Sequence, residues 1–331
     1  MKKFQKVKSS IQNVFLAAGL AYMGLIPQET PYDPEQEVTA NETQLKLLEK
    51  VRENYDFVVM GDTDHESPYV TLYTLQPDVL NALKKDDEAN ISTEYGIHHN
   101  TLLWSGTKDP DFEEKCKNQL IGSWLQNDEA ESEICKSFGT AIDDPQLQFF
   151  AVDQRFAGDS RPFGRGQIII SKLFEAQEYL FGKTDGGAPT MMLATTGLYF
   201  LNDEPLVNDV RTVDAITDYG SGGKDSGVII YGAKHFQYKE DDNGQPMDMK
   251  SLLEEKGYSV CVVNIHESEK TRKVLNEYVL DEDNPADIDI VVLPSDDHPV
   301  GIHVMNPELD ELYTEALDLE VAEPPNNDLS V

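Results

Sequence analysis

Short apolar runs recur along this chain, and each breaks off in polar residues. Phe57-Val58-Val59-Met60 is the first. It is too short for a helix and continuous rather than alternating, which is the pattern of a strand buried on both faces. It ends in Gly61-Asp62-Thr63-Asp64-His65. Ile91-Ser92-Thr93-Glu94-Tyr95 predicts a second strand, ending in a carboxylate. Leu147 to Val152 predicts a third, ending in Asp153-Gln154-Arg155, and Val228 to Tyr231 a fourth, ending in Gly232-Ala233-Lys234-His235. Val260 to Ile265 and Ile288 to Leu293 complete the strands.

Between these runs the apolar residues take helical spacing. Leu45, Leu47, Leu48 and Val51 predict a helix through Arg52, capped by Asn41 or Thr43. Further helices are predicted over residues 70–83, within 100–140, over 167–180 and 205–219, and around Leu252 and Leu253, the last closed by Gly257. Residues 189–201 are apolar without a clear period, and 220–227 form a turn rich in Gly and Ser. This alternation predicts an α/β fold with a mainly parallel central sheet and helices on both faces. In such sheets ligands bind beyond the carboxyl ends of the strands.

The expected organisation is an amino-terminal segment plus linker over 1–42, a single α/β domain over 43–315 and an acidic disordered tail over 316–331. Lys2, Lys3, Lys6 and Lys8 precede an uncharged apolar stretch from Val14 to Ile26. A basic region before a short apolar one is the pattern of a secretory signal. The stretch falls short of the roughly 20 residues a spanning helix needs. Export or anchoring is therefore favoured over a cytoplasmic location, and the alternative is an amphipathic helix docked on the domain or on a membrane surface. Any membrane contact is expected through this segment alone.

The 331 residues carry 27 Lys and Arg against 61 Asp and Glu, a net charge of −34. Such a surface repels phosphate backbones, so nucleic acid is excluded as a partner and a small-molecule or peptide substrate is expected. Much of the acid sits in runs typical of solvated loops, at 128–133, 240–242, 281–283 and after Glu308. Of the 3 cysteines, Cys261 lies in an apolar run and is expected in the core. Cys116 and Cys135 can form a disulfide in an oxidising compartment, though nothing in the sequence requires it. No Cys-x-x-Cys pair points to a thiolate metal site.

Four predicted strands thus end in residues of useful chemistry: Asp62 and His65, Glu94, Asp153 and Arg155, and His235. If the strands run parallel, these ends converge on one edge of the sheet. Taken singly, an Asp after a strand is more often a turn former or helix cap, and an Asp beside an Arg a structural ion pair. Taken together they describe a site. A histidine can accept a proton from water, a carboxylate such as Asp62 or Glu94 can orient it, and Arg155 can hold an anionic group or a developing oxyanion. His65, Glu94 and His235 could equally hold a divalent metal that activates water. Ser221, in Gly220-Ser221-Gly222-Gly223, lacks the strand-to-helix elbow of a serine hydrolase. His98 and His99 follow the Glu94 strand and are expected on a surface loop, with the lining of the cleft as the alternative, and His298 and His303 are bystanders.

These motifs resemble those of the erythromycin esterase, ChaN and TraB/Tiki superfamily. FVVMGDTDHESPY, Phe57 to Tyr69, resembles its first motif, with His65 four residues after Gly61 as in the esterase branch, but with Asp62 where that branch has Glu. Ile91 to Glu94 looks like the second motif and Phe149 to Arg155 the third. Asn208 to Ile216 resembles the helix that carries Arg in the TraB/Tiki branch, which implies Arg211 in the cleft. VIIYGAKHF, Val228 to Phe236, is similar to the late strand-Gly-x-x-His motif. The tyrosine ligation of the haem-uptake branch has no counterpart. The resemblance spans roughly residues 50–295 in scattered short motifs. It implies a fold and a site location more than a reaction, because the superfamily includes ester hydrolases, metal-dependent proteases and haem-binding lipoproteins. The expectation is a hydrolase in which His65 acts as base or metal ligand with Asp62 and Glu94. His235 is its second base or ligand, and Asp153, Arg155 and Arg211 bind substrate. The alternatives are a non-catalytic protein that binds a metal, haem or small ligand in the same cleft, and a degenerate member acting through protein contacts.

Overall fold

The computed structural model describes residues 32–63, 67–94, 108, 110–119, 128–152, 205–222, 224–237, 248–278, 286–295 and 297–321. Nearly all of the described residues belong to one compact unit, Glu29–Asp153 with Asp209–Val331. Among the described residues that unit is built on a 7-stranded sheet in the order β3-β2-β4-β1-β5-β6-β7. Its strands are β1 (Phe57–Asp62), β2 (Ala89–Thr93), β3 (Leu147–Ala151), β4 (Gly227–Gly232), β5 (Val260–Ser268), β6 (Ile288–Leu293) and β7 (Ile302–Val304). Every pairing from β3 across to β6 is parallel, and only the short edge strand β7 is antiparallel. The α/β fold with a mainly parallel sheet is therefore as the pattern of runs predicts.

Alternation along each strand separates two apolar layers. Val58, Met60, Cys261, Val263 and Ile265 face one core, filled by Leu47, Leu48 and Val51 of α1 (Glu42–Asn54), by Tyr69, Val70 and Tyr73 of α2 (Pro68–Thr74) and by Val79 and Leu80 of α3 (Pro77–Ala82). Phe57, Val59, Val260 and Val262 face the other, packed by Val213 of α6 (Pro205–Ala215) and by Met249 and Leu253 of α7 (Met249–Glu255). The intervening helices α4 (Phe112–Gln119) and α5 (Asp128–Asp143) carry a small third cluster around the Cys116–Cys135 disulfide. α8 (Glu269–Tyr278) follows β5, and α9 (Asp310–Val321) closes the described chain. Cys261 is free and buried, as its run predicts.

Asn41 is the cap of α1. Its side chain accepts the Gln44 amide at 2.9 Å while Gln44 returns an acceptor to the Asn41 amide at 3.2 Å, a reciprocal box worth about 1 kcal/mol. The stretch 32–41, expected as linker, has no helix or strand but is tied down. The amide of Asp33 donates to the Tyr69 hydroxyl at 2.8 Å and that of Ala40 to Gln76 at 3.0 Å. The single helix expected over 70–83 is two, because Pro77 has no amide to continue the ladder and opens α3 instead. At the far end α9 runs past the expected boundary at 315, with Ala316 fully buried. The predicted helix at 167–180, the apolar stretch 189–201 and the amino-terminal segment through residue 31 lie outside the described residues. Among the described residues no helix is long and apolar enough to cross a membrane.

Candidate functional site

The register brings the predicted strand ends to one edge. Asp62, last in β1, is level with Gly232, last in β4, and with Ile265 of β5. Thr93, last in β2, is level with Ile230 and with Ala151. The next residues continue the ladder: the Glu94 amide donates to the Ile230 carbonyl at 3.1 Å and the Val152 amide to the Thr93 carbonyl at 3.1 Å. Asp62, Glu94 and His235 thus share the carboxyl edge of the sheet. His65, Asp153 and Arg155 lie outside the described residues. Asp153 follows directly on Val152, and His65 comes two residues after Thr63.

Two contacts organise this edge. The Glu94 carboxylate accepts the Gly232 amide at 2.8 Å. This fixes the point at which β4 turns into the 3₁₀ helix Ala233–Phe236, which carries His235. In that helix Nδ1 of His235 lies 2.6 Å from Oδ1 of Asp209 on α6. Asp209 is buried and its second oxygen, Oδ2, has no hydrogen-bond partner among the described residues. The His235 ring stacks edge-on against Tyr231, with centroids 5.0 Å apart. The imidazole is therefore held on two sides, by a carboxylate at Nδ1 and an aromatic face at its flank. The carboxylate can only accept, so Nδ1 carries a proton and Nε2 is left as the basic nitrogen in the neutral ring.

The expected pairing of Asp62 and Glu94 with His65 lies outside the described residues, and the carboxylate on His235 is a third one. Asp209 takes that part, and the sequence reading passed over it. Its only local signal is its place in the segment Asn208 to Ile216, where the resemblance drew attention to Arg211 instead. The structure does not bring Arg211 to the dyad. Two residues along a helix turn the side chain to the opposite side, and Arg211 stands exposed while Asp209 is buried. The face of α6 turned to the sheet carries Asp209, Thr212 and Val213.

The remaining candidates have packing reasons. Ser221 is buried behind Gly220 at the end of a π-helical turn, Ile216–Gly220. A Cβ on Gly220 would meet Ser92 Oγ at 2.5 Å and Val152 Cγ1 at 2.6 Å, so close packing demands that glycine. Burial pushes the Cys261 thiol well up, which removes it as a nucleophile. His303 is on β7 and bonds the Glu269 carboxylate, and His298 stacks beside it at 5.5 Å. His98 and His99 lie outside the described residues. Among the described residues no group of three or more His, Cys, Asp and Glu side chains is arranged to hold a metal ion.

No family model and no curated protein matches the chain. Two solved structures are similar to it at low identity. One is the type III effector HopBA1, at 14% identity over 71% of this chain and 89% of that one, with a TM-score of 0.37. The other is ChaN of Campylobacter jejuni, in a structure of cofacial haem binding, at 10% identity over 66% of this chain and 84% of that one, with a TM-score of 0.34.

Proposed function

We propose that this chain is a hydrolase of ester or amide bonds in which His235, oriented by Asp209, is the general base. The observation that carries the reading is the 2.6 Å contact between a buried carboxylate and Nδ1 of a histidine at the carboxyl edge of a parallel sheet. Water attacking a carbonyl carbon loses a proton to Nε2, and the imidazolium so formed is stabilised by Asp209. It then returns the proton to the departing alkoxide or amine as the carbon–heteroatom bond breaks. Glu94 supports the arrangement by holding the Gly232 amide at the start of the turn that bears His235. His65, Asp62, Asp153 and Arg155 stay in the proposal on their sequence positions. His65 serves as a second base, and Arg155 beside Asp153 serves to neutralise an anionic group of the substrate. The cystine Cys116–Cys135 and the basic, then apolar, amino terminus together support export as the setting.

One observation favours a second reading, binding of a divalent metal. A histidine that gives its far nitrogen to a carboxylate is also the usual outer arrangement of a metal ligand. His235 Nε2 with Glu94 and His65 would then supply the donors, and the metal would acidify a bound water.

The test is turnover of p-nitrophenyl acetate and leucine p-nitroanilide by purified protein, before and after dialysis against a chelator. Asp209→Asn is expected to lower kcat by about 10²–10⁴-fold, because the amide can trap the wrong imidazole tautomer, and His235→Ala by at least as much. Turnover that survives in His235→Ala sinks the reading. Loss of wild-type turnover on chelation moves the assignment to the metal form.

A further inference from the structure

A second buried histidine–carboxylate pair lies outside the His235 dyad. Nε2 of His266, on β5, is 3.0 Å from Oδ1 of Asp289, on β6, and both residues are buried. The other oxygen, Oδ2, is held by Asn276 at 2.8 Å and Arg272 at 3.4 Å, both from α8. A carboxylate only accepts, so Nε2 carries the proton and Nδ1 is the basic nitrogen of the neutral ring. The group that Nδ1 meets among the described residues is the hydroxyl of Thr63, at 3.3 Å. That hydroxyl has one proton and two acceptors in reach, Nδ1 and the Ile265 carbonyl, the latter at 2.5 Å.

Burying these charged and polar groups is costly, and apolar side chains of like size commonly stabilise as well or better. A hydroxyl needed only to close the end of β1 is satisfied by the Ile265 carbonyl and calls for no oriented imidazole behind it. Thr63 is half-buried and follows Asp62 at the carboxyl edge of the sheet, where ligands of parallel sheets bind. Its β-branch restricts the rotation of the hydroxyl-bearing bond. A hydroxyl, a basic imidazole nitrogen and a carboxylate on the far nitrogen are the parts of an activated nucleophile.

We propose that Thr63 is a nucleophile that accepts the acyl group of a carboxylic ester, with His266 as its base and Asp289 as the positioning residue for that base. The Thr63 oxygen bonds to the carbonyl carbon as its proton passes to Nδ1. The bond from that carbon to the ester's alcohol oxygen then breaks, and the departing alkoxide takes the proton from Nδ1. Thr63 is left esterified. Asp62 is level with Gly232, so Thr63 and the turn bearing His235 leave neighbouring strands at the same height. Water activated by His235 then releases the carboxylic acid and returns the proton to Thr63. Only this release rests on the His235 reading; transfer to Thr63 does not.

The test treats the full chain with p-nitrophenyl acetate or with an alkyl fluorophosphonate and locates the adduct by peptide mass mapping. His235→Ala, slow to release the acyl group, is expected to give a burst of about one equivalent of nitrophenol and to retain acetyl on Thr63. The wild type is expected to take the phosphonyl group on Thr63 with loss of fluoride. Thr63→Val, which keeps the shape, is expected to take neither group at that position, and Thr63→Ser to take both. His266→Ala can unfold the chain, so the base is tested without it. Wild type unfolded in urea keeps Thr63 but not His266 beside it, and is expected to label at least about a hundredfold more slowly. Absence of both adducts from Thr63 in the wild type and in His235→Ala overturns the proposal, as does equal labelling of the folded and unfolded chain. Turnover by a wild type whose Thr63 takes no adduct removes this proposal and keeps the His235 reading. An adduct on Thr63 with turnover intact in His235→Ala does the reverse.

Discussion

The carboxylate of Glu94 and the backbone amide of Gly232, 138 residues apart in sequence, meet at 2.8 Å where β2 and β4 end. A side chain that closes the exposed end of one strand by bonding the last amide of another ties two loops of the sheet edge into one frame. Glu94→Ala is expected to cost about 1–3 kcal/mol, the penalty for stranding a partly buried amide. Glu94→Gln, which keeps an acceptor oxygen, should cost less than half of that. Urea midpoints of the two variants measure the difference. Equal losses would mean that charge, rather than the hydrogen bond, matters at this position.

Gly61, the glycine of the first motif, sits opposite Asn264 in the β1–β5 register. A Cβ there would lie 2.6 Å from Asn264 Oδ1 and 3.3 Å from the Ala233 Cβ. Asn264 is buried and Ala233 opens the turn that carries His235. Gly61→Ala is therefore expected to destabilise by about 1–3 kcal/mol through overpacking, and to disturb the dyad as well. Double substitution with Asn264→Ala should recover part of the loss, and thermal melts of the single and double variants check it.

Asp289 contributes to how this protein responds to acid. Burial alone would push its carboxyl up, but hydrogen bonds from His266 and Asn276 and the charges of His266 and Arg272 outweigh burial and hold it below the usual range. A carboxyl lowered in the folded state stabilises the fold fully above its unfolded value of about 3.9, and that stabilisation drains away as the pH falls through the folded value. Acid unfolding followed by circular dichroism should be steeper for the wild type than for Asp289→Asn. The variant should also be less stable by about 3–5 kcal/mol near neutral pH, where the Arg272 charge and the His266 and Asn276 donors lose their carboxylate partner. Parallel acid curves would remove Asp289 from the account.

The Cys116–Cys135 bridge closes a separation of 19 residues between α4 and α5. A loop of that length is worth about 3 kcal/mol through the unfolded chain. Replacing both residues with Ser should lower the melting temperature, and a reducing agent should lower it for the wild type but not for the variant. Thiol titration of the native protein should find no reactive group, and denaturation should expose Cys261 alone. A native protein with reactive thiols at 116 and 135 would contradict the bridge.

The strands are legible in the chain, and the partners of their polar ends are not. Val228 to Tyr231 and Phe57 to Met60 announce themselves as strands because burial on both faces requires unbroken apolar side chains, and a linear pattern records that requirement. The end of β5 does not, since His266 and Glu267, beyond the predicted Val260 to Ile265, look like a loop until their partners are known. Those partners, Thr63, Ser67 and Asp289, stand 23 to 203 residues away.

What the sequence determined by itself was the alternation of strands and helices, the direction of the sheet and the set of strand ends carrying Asp62, Glu94 and His235. All of these follow from the spacing of apolar residues, a local property. Only the tertiary structure decided that Asp209, indistinguishable in the chain from Asp214 or Asp218, is the carboxylate on His235, and that Arg211 is turned away. Which acid meets which imidazole depends on the rotation of α6 against β4, and that is set by packing between segments distant in sequence, where no linear pattern reaches.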